Sequence, residues 1–352
     1  MMPEDVPPLP AALRLRLDSA ALAANWTALD ALSGGARAGA AIKADCYGLG
    51  VAAAVPVLAA AGCRDWFVAH WQEAAVAARL VQAGQISVLH GPMNDAEAAY
   101  ARALGARPVL NSLAQVRRWL ATGGGPCDLM VDTGMNRLGL ALGEIGDAAV
   151  SALEIETCMS HLASADEDCA QNAAQLARFR EVTSAVRAER YSLCNSAGIA
   201  LGGDYHFDLT RPGLALYGGV PRGDFAGQIA QVAWPEAAVI QVRTLAAGDS
   251  VGYNATFIAP APMRVGVISV GYADGYLRCW SGRGHVLWEG RRLPVLGRVS
   301  MDMTIVDLST AENCGEGDWL GLEYALPQAA ATSGLSQYEL LTLMGRRFAR
   351  NE

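Results

Sequence analysis

The first two thirds of the chain alternate between short apolar segments and amphipathic stretches rich in alanine, leucine and arginine. Residues 13–18 alternate with a period of two, which predicts a half-exposed strand, and Asp18 with Ser19 offers an N-cap for a helix that reaches Leu32. Further strands are predicted near residues 38–43, 65–69, 86–90, 107–110, 128–132, 155–160, 191–194 and 206–210. Helices are predicted between them, for example at 71–83, 95–104, 112–121 and 168–188.

Eight repeats of strand and helix predict a (β/α)8 barrel of the TIM type. An open doubly wound sheet is the alternative, although no G-x-G-x-x-G follows the first buried strand.

The pattern changes near Ala226, beyond which the helical period is lost. Alternating segments broken by Gly, Pro and Asp turns predict strands within 238–244, 250–258, 263–271, 284–288 and 292–307. A last helix is predicted at about Ser336–Arg347. We therefore predict an α/β chain of two domains. Residues 1–228 form the barrel, whose first strand can join the other domain, and residues 229–352 form an all-β domain with a terminal helix.

Composition fits a chain with a large core, because 52% of its 352 residues are hydrophobic and 18% are charged. The net charge is −8 and no basic stripe is present, so we expect neither nucleic acid nor an anionic membrane as a partner. No apolar run reaches the length of a membrane-spanning helix, and the acidic, Pro-rich start lacks the features of a signal peptide.

Eight cysteines are scattered along the chain, with no C-x-x-C pair and no Cys/His cluster at zinc spacing. Free thiols in a reducing compartment are a simpler interpretation than a disulfide framework. We therefore expect a cytoplasmic protein without a metal site.

Lys43 ends the first buried strand, in the run AIKADCYGLG at residues 41–50, where the chain enters a turn bracketed by glycines. Burial lowers the pKa of a lysine, because desolvation penalises the charged form. A neutral amine is a nucleophile toward aldehydes and a general base. A lone lysine is more often a rim residue whose stem packs on the barrel, so the interpretation depends on its neighbours.

Polar residues follow several predicted strands, at the end where β/α barrels carry their active sites. They are Lys43, Tyr47, Asp132, Arg137, Ser160, His161, Asn195, Ser196, Gly198 and Arg211. The arginines, with the backbone amides of Ser196, Gly213 and Leu214, suit a small ligand that carries a phosphate. An amine that condenses with aldehydes beside a phosphate site points to pyridoxal phosphate. Taken singly, His161 also fits a core histidine and Asn195 a helix N-cap.

Eight short motifs run in order through the chain. The barrel part carries AIKADCYG (41–48), VDTGMNRLG (131–139), SHLASAD (160–166), CNSAG (194–198) and RPGLALYG (211–218). The all-β part carries VGYNAT (251–256), GYADGY (271–276) and GRVSMD (297–302). On these motifs the chain resembles the bacterial alanine racemases, which are fold-type III pyridoxal phosphate enzymes, over essentially its whole length.

The resemblance implies racemisation of alanine by two bases. Lys43 would hold the cofactor and act on one face of Cα, and Tyr253 from the partner subunit would act on the other. His161 would hydrogen-bond this tyrosine. Arg211 would sit against the pyridine nitrogen, where an arginine does not readily give up a proton and so favours racemisation over transamination. The enzyme would be a head-to-tail homodimer with shared active sites.

The resemblance also assigns binding roles. Beside Lys43, cofactor binding would involve Tyr47, Arg137, Asn195, Ser196, Arg211, Gly213 and Leu214. Substrate binding would involve Arg137, Tyr253, Tyr272, Met301 and Asp302.

Two positions depart from the family pattern. Met130 stands where some members have a carbamylated lysine that orients the arginine equivalent to Arg137. Arg346 stands near the place where some members have a tyrosine that contacts the phosphate. We therefore expect another group to orient Arg137.

Three other functions stay open. A serine or broad-specificity racemase would share these motifs. A fold-type III decarboxylase would be expected to place an acid where Arg211 stands. A pyridoxal phosphate homeostasis protein would consist of the barrel alone and be much shorter. The sequence also leaves open whether the reaction supplies D-alanine for peptidoglycan or serves alanine catabolism.

Overall fold

The computed structural model describes residues 11–351, and the Pro-rich start at residues 1–8 lies outside them. The described chain folds into two compact units. One contains residues 19–230, and the other combines residues 11–18 with residues 231–351. The first strand of the chain therefore belongs to the same unit as the C-terminal third.

Many of the strands are short. In chain order they are β1 (Leu13–Leu17), β2 (Arg37–Ala38), β3 (Ala40–Ala41), β4 (Trp66–Val68), β5 (Ile86–Val88), β6 (Arg107–Leu110), β7 (Pro126–Met130), β8 (Glu154–Met159), β9 (Arg190–Ser192), β10 (Leu209–Thr210), β11 (Ala233–Leu245), β12 (Ser250–Val251), β13 (Phe257–Ile258), β14 (Met263–Ile268), β15 (His285–Trp288), β16 (Arg291–Leu296), β17 (Thr304–Asp307), β18 (Trp319–Leu322) and β19 (Ala349–Asn351). The helices are α1 (Ser19–Leu32), α2 (Lys43–Tyr47, which is a left-handed turn rather than a regular α-helix), α3 (Val51–Ala61), α4 (Trp71–Ala77), α5 (Asp95–Leu104), α6 (Leu113–Ala121), α7 (Ala148–Ser151), α8 (Ala170–Ala185), α9 (Ser196–Ile199), α10 (Leu326–Ser333) and α11 (Gln337–Thr342).

The unit of residues 19–230 is a parallel β-barrel with helices between its strands. Strands β3 to β9 pair in chain order as a seven-stranded parallel sheet. β2, which a single residue separates from β3, pairs in parallel with β10, with Thr210 opposite Ala38. The ring closes between β9 and β10, where the Arg211 amide donates to the Cys194 carbonyl at 2.9 Å. The predicted (β/α)8 barrel is confirmed, and the open doubly wound sheet is wrong.

Buried charges fill the barrel near the N-terminal ends of its strands. Arg107 lies 3.4 Å from Asp128 and 3.8 Å from Asp65, and Arg190 lies 2.8 Å from Asp65. The two carboxylates are almost completely buried, and buried charges are tolerated when they are paired in this way. Because this layer fills one end of the barrel, the opposite end, where Lys43 lies, is the one available to a ligand.

Local capping fixes where the barrel helices begin. The Asn94 side chain accepts the Glu97 amide at 2.9 Å at the start of α5, and Ser112 accepts the Gln115 amide at 3.3 Å at the start of α6. Each bond satisfies a backbone donor that the first turn of a helix leaves without a partner. These helix N-termini follow the C-terminal ends of the strands, so capping also sets the loops at the ligand-binding end.

The second unit is built on an antiparallel sheet. Its strand order is β14-β17-β16-β15-β18-β11-β1-β19, and β11 also pairs with β14, which closes a ring of six strands. A β-bulge between Val239 and Gln241 lets the long β11 change direction between its neighbours. At the other end of β11, β1 pairs antiparallel to it with Leu15 opposite Pro235. An all-β domain was predicted here, and this part of the fold prediction is confirmed.

Three predicted elements of this unit are wrong in their extent. The run 250–258 is two short strands, β12 and β13, and Tyr253 lies in the 3-10 turn between them. The run 292–307 is two strands, β16 and β17, because the chain leaves the sheet in the loop that contains Met301. The helix predicted at Ser336–Arg347 ends at Thr342, and β19 follows it. Gly345 lies against the backbone of Asp274, where an added Cβ would come within 3.1 Å, so close packing replaces the last helical turn.

Candidate active site

Lys43 stands at the C-terminal end of β3 with its side chain half-buried. Burial lowers the pKa of Lys43, and the positive charges of Arg137 and Arg211 lower it further, whereas the negative charge of Glu73 opposes them. At a given pH, more of this amine is therefore neutral than in an exposed lysine. A neutral amine can attack an aldehyde or accept a proton, which is the chemistry predicted for this residue.

The chain directly after Lys43 forms a left-handed turn. Ala44, Asp45 and Cys46 each have a φ of 53°, and Tyr47 has a φ of 58°. Left-handed backbone costs roughly 1–2 kcal/mol for each residue with a Cβ, so surrounding contacts must hold this turn in place. The turn itself supplies part of this support. The Asp45 carboxylate accepts the Val51 amide at 2.7 Å, and the side chains of Cys46 and Tyr47 are buried in the barrel unit. The sequence predicted a turn here but not its hand.

Arg211 and His161 meet inside the barrel. The buried Arg211 guanidinium donates to the Ser160 carbonyl and the Ser192 hydroxyl, and it lies 3.5 Å from His161 Nδ1. Burial lowers the pKa of His161 to about 3, and the charges of Arg211 and Arg137 act in the same direction. His161 is therefore neutral near pH 7. Since a guanidinium can only donate, Nδ1 of His161 is the acceptor and the ring proton lies on Nε2.

A buried hydrogen-bond network holds the backbone of His161 in place. The Gln175 amide nitrogen donates to the His161 carbonyl at 2.9 Å and to the Thr133 hydroxyl at 3.2 Å. Thr133 in turn lies 2.7 Å from the Ser160 hydroxyl. Sequence reasoning missed Gln175. A signal was present, because α8 buries polar Asn172 and Gln175 on the same face as its apolar residues.

The residues predicted to hold a phosphate form a tight cradle. Ser196 Oγ accepts the amides of Gly213 at 2.8 Å and Ala215 at 3.2 Å. Both lone pairs of this hydroxyl are then used, which leaves its hydrogen to donate. A Cβ at Gly213 would lie 2.3 Å from Tyr47 Oη, so only glycine allows the phenol to come this close. Leu214 is the next residue along the same buried segment.

Arg137 lies in a turn that Asp132 organises. The Asp132 carboxylate accepts the amides of Gly134 and Met135 at 2.8 Å and that of Arg137 at 3.2 Å. The Arg137 side chain is exposed, whereas Met130 is buried in β7. Met130 is therefore a core residue, and the group that fixes the backbone of Arg137 is Asp132.

The remaining predicted site residues lie in the second unit. Tyr253 is 65% exposed in the single chain, and Met301 is 54% exposed. Tyr272 lies under the guanidinium of Arg278, whose carbon is 5.2 Å from the ring centroid. These side chains are presented on the surface of the unit rather than packed into its core.

Asp302 is held by Arg347, a residue that sequence reasoning missed. Arg347 donates to both carboxylate oxygens of the buried Asp274, at 2.6 and 2.8 Å, and to Asp302 at 2.7 Å. Its neighbour Arg346, which stands near the place of the phosphate-contacting tyrosine of some family members, is exposed. Arg347 therefore links the GYADGY segment to the loop that carries Met301 and Asp302.

Residues 11–351 contain no group of three or more His, Cys, Asp or Glu side chains that could hold a metal ion. Within the same residues, no helix is both long enough and apolar enough to cross a membrane.

Family models match nearly the whole chain. The model described as alanine racemase, N-terminal domain, matches residues 17–221, and the model described as alanine racemase, C-terminal domain, matches residues 232–352. The chain belongs to the alanine racemase family. The resemblance drawn from the motifs is thereby confirmed, and the Lys43 and Tyr253 segments fall within the two alanine racemase domains.

Relatives along the full length agree with this assignment. An alanine racemase of Methylobacterium nodulans is 42% identical over 353 residues, covering 96% of this chain and 95% of the relative. An alanine racemase of Acidiphilium cryptum is 42% identical over 350 residues, covering 96% and 97%. The crystal structure of alanine racemase from Bartonella henselae with covalently bound pyridoxal phosphate superposes with a TM-score of 0.89 at 35% identity, covering 97% of this chain and 99% of that one.

The alanine racemase barrel of this chain has the groups that pyridoxal phosphate requires. Lys43 offers an amine for the aldehyde, and the buried Arg211 offers a cation for the ring. The Ser196 hydroxyl and the cradle at Gly213 suit the phosphate, because they combine a hydroxyl hydrogen that can be donated with a close backbone approach. The donor set therefore fits the cofactor.

Proposed function

We propose that the protein interconverts L-alanine and D-alanine with pyridoxal phosphate as its cofactor. The observation that carries this proposal is the arrangement at one end of the barrel. There, burial and the charges of Arg137 and Arg211 lower the pKa of the Lys43 amine. The same unit holds the cradle at Ser196 and Gly213. Family membership supports the same activity. The D-alanine formed serves peptidoglycan synthesis, or the reverse reaction serves alanine catabolism.

The phosphate end of the cofactor is held by neutral groups. Tyr47 and Ser196 supply hydroxyl groups, and the segment of Gly213 and Leu214 supplies backbone next to them. Asn195 fixes this arrangement, because its side chain accepts the Gly198 amide at 2.9 Å and caps the short helix that begins with Ser196.

The aldehyde end of the cofactor would lie between Lys43 and two arginines. Lys43 would hold the aldehyde group until the amino group of the substrate takes its place and releases the lysine amine. Arg211 would sit against the ring nitrogen, and Arg137 would sit near the phenolic oxygen and the substrate carboxylate. When bound, pyridoxal phosphate withdraws electrons from the Cα–H bond of an amino acid attached to it. The task of the protein is then to take a proton from one face of Cα and return one to the other.

Lys43 and Tyr253 carry these two protons. The neutral Lys43 amine accepts a proton on one face and becomes an ammonium group, while the phenol of Tyr253 from a second copy of the chain gives its proton to the opposite face. Neutral His161 donates from Nε2 to the Tyr253 oxygen, which favours the phenolate that this step leaves. Tyr272, Met301 and Asp302 of the second copy line the side of the substrate carboxylate.

Exposed apolar side chains on the second unit support the proposal that a second copy of the chain binds there. Tyr253, Ile258, Met301 and Met303 are large apolar side chains that are each at least 44% exposed. Tyr253 and Met303 also line one pocket of this unit. A contiguous exposed apolar surface marks protein–protein contacts more often than a free surface. We propose a homodimer in which each copy completes the site of the other. The eight cysteines are free thiols, which supports a cytoplasmic location.

The substrate test uses purified protein with pyridoxal phosphate and L-alanine, L-serine or L-lysine in separate assays. We expect optical rotation to decay to zero with L-alanine, and no carbon dioxide to be released from L-lysine. Faster loss of rotation with L-serine would move the assignment to a serine racemase. Carbon dioxide from L-lysine would move it to a decarboxylase.

The shared site is tested by mixing two inactive variants, Lys43→Ala and Tyr253→Phe. Random exchange of subunits leaves about a quarter of the sites with both bases, because half of the dimers are mixed and each has one intact site. We expect activity to return to about this level. No recovery after subunit exchange would show that both bases come from one chain.

A further inference from the structure

Glu73 joins the Lys43 segment to the neighbouring strand. One carboxylate oxygen accepts the Ala44 amide at 2.6 Å, and Ala44 is the first residue of the left-handed turn. The other oxygen accepts the amides of Ala69 and His70, at 2.7 and 3.2 Å, directly after β4. A single half-buried side chain therefore fixes two loops at the ligand-binding end of the barrel.

Only a carboxylate of this length satisfies all three amides. An amide side chain has one accepting oxygen and cannot serve both loops, and an aspartate is one methylene shorter. The turn that Glu73 contacts is intrinsically unfavourable, since four consecutive residues with a Cβ have positive φ. The orientation of Lys43 depends on this turn, because its backbone leads directly into it.

Glu73 also affects the charge around Lys43. It is the negative group near an amine that otherwise faces the positive groups Arg137 and Arg211. His90, whose ring packs edge-on against that of His70 with centroids 4.3 Å apart, lies in the same electrostatic environment. Glu73 thus has both a geometric and an electrostatic connection to Lys43.

We propose that Glu73 is a positioning residue that holds the left-handed turn and thereby sets the place and the proton affinity of the Lys43 amine. The proposal rests on the function proposed for Lys43. Glu73 itself touches neither cofactor nor substrate in this proposal and acts through Lys43.

The geometric part is tested with Glu73→Ala in the full chain, with Glu97→Ala as the matched control. Glu97 occupies the same position in the first turn of α5, and its carboxylate accepts the Met93 amide at 2.8 Å where that of Glu73 accepts an amide of the Lys43 segment. In Glu73→Ala we expect hydrogen exchange of the peptide over residues 42–48, and the dissociation constant for pyridoxal phosphate, each to rise about tenfold or more. In Glu97→Ala we expect both to stay within about twofold of the native values.

The electrostatic part compares Glu73→Gln with Glu73→Asp. The readout is the pH midpoint for the rate at which the cofactor-free chain recombines with pyridoxal phosphate, because only the neutral amine reacts. Loss of the negative charge in Glu73→Gln should move this midpoint to lower pH by about half a unit or more. Glu73→Asp, which keeps the charge, should leave the midpoint near the native one while still weakening cofactor binding.

The proposal is overturned if Glu73→Ala leaves both exchange and cofactor affinity within twofold of native, or if Glu73→Gln and Glu73→Asp share one midpoint. Should Glu73→Ala fail to fold, exchange and affinity of the Gln and Asp variants decide the geometric part. The proposed function fails separately: if the native protein does not racemise alanine yet the variants respond as expected, the role of Glu73 stands and the reaction is different.

Discussion

Arg211 is a buried cation whose hydrogen bonds all go to neutral groups. It donates to the Ser160 and Leu193 carbonyls and to the Ser192 hydroxyl, and His161 and the ring of Phe67 lie beside it. Burial lowers the pKa of Arg211 to about 10, so the group stays charged at neutral pH. A charged guanidinium offers hydrogen bonds but does not readily transfer a proton to a pyridine nitrogen.

Replacing this cation by a carboxylate should change which products form. A carboxylate keeps a pyridine nitrogen protonated and strengthens electron withdrawal, so we expect Arg211→Glu to raise the ratio of transamination to racemisation by about tenfold or more. The measurement is pyruvate formed per racemisation event. Arg211→Lys is the control that keeps a positive charge, and its ratio should remain near the native value. An unchanged ratio in Arg211→Glu would contradict this role of Arg211.

The pH dependence of the reaction distinguishes Lys43 from His161. Lys43 must be a neutral amine to act as the base, and its amine is free only once the substrate has taken its place on the cofactor. We therefore expect kcat, which reports the enzyme with substrate bound, to fall as pH falls through the pKa of Lys43, and this fall is the acidic limb of the pH profile. Burial and Arg137 hold this pKa below its ordinary value of 10.5. His161 stays neutral down to about pH 3. We expect His161→Asn to lower the rate without moving this limb, and Arg137→Gln to move the limb to higher pH because a positive charge is lost. A limb that disappears in His161→Asn would assign it to the histidine.

At the scale of elements, the sequence predicts what is locally encoded. Helix α5 has the predicted bounds of residues 95–104, because Asn94 supplies a cap and Gly105 a stop in the sequence itself. The hand of the turn after Lys43 could not be predicted, since it depends on Glu73 and on Tyr217, whose ring centroid lies 4.9 Å from that of Tyr47. The contacts of Glu73 and Arg347 were missed for the same reason, because each joins segments far apart in the chain.

The strain in this turn is open to a direct test at Ala44, whose side chain is exposed. Valine is strongly disfavoured at positive φ, so we expect Ala44→Val to lower the free energy of unfolding by about 1–2 kcal/mol and to weaken cofactor binding. Ala44→Gly should be neutral or stabilising, because glycine adopts this conformation without steric cost. Thermal unfolding of the two variants beside the native protein measures the difference. Equal midpoints for valine and glycine would show that the turn is not strained.

At the scale of the whole molecule, buried thiols are concentrated in the barrel unit. Cys46, Cys63, Cys127, Cys158 and Cys194 are all buried there, and burial raises the pKa of each. For Cys63 and Cys158 the pKa is raised to about 12. In the unfolded chain these thiols return to their ordinary value near 9. Between about pH 9 and pH 12 the unfolded state therefore binds fewer protons than the folded one.

The contribution of these thiols to stability falls as pH rises through that window, because raised pKa values stabilise the fold only while the thiols stay protonated. Each thiol contributes a loss of about 1.4 kcal/mol per pH unit above its unfolded pKa. The free energy of unfolding should therefore fall less between pH 8 and pH 10.5 in Cys127→Ala/Cys158→Ala than in the native protein. We expect this fall to be smaller by about 1.4 kcal/mol per pH unit above the unfolded pKa for each thiol removed. Cys169→Ala is the control for removal of a thiol at an exposed position. Cavities left by the double variant lower stability at both pH values alike, so only the difference between them reports the thiols. Equal pH dependence in native and double variant would mean that these thiols ionise inside the fold as readily as outside it.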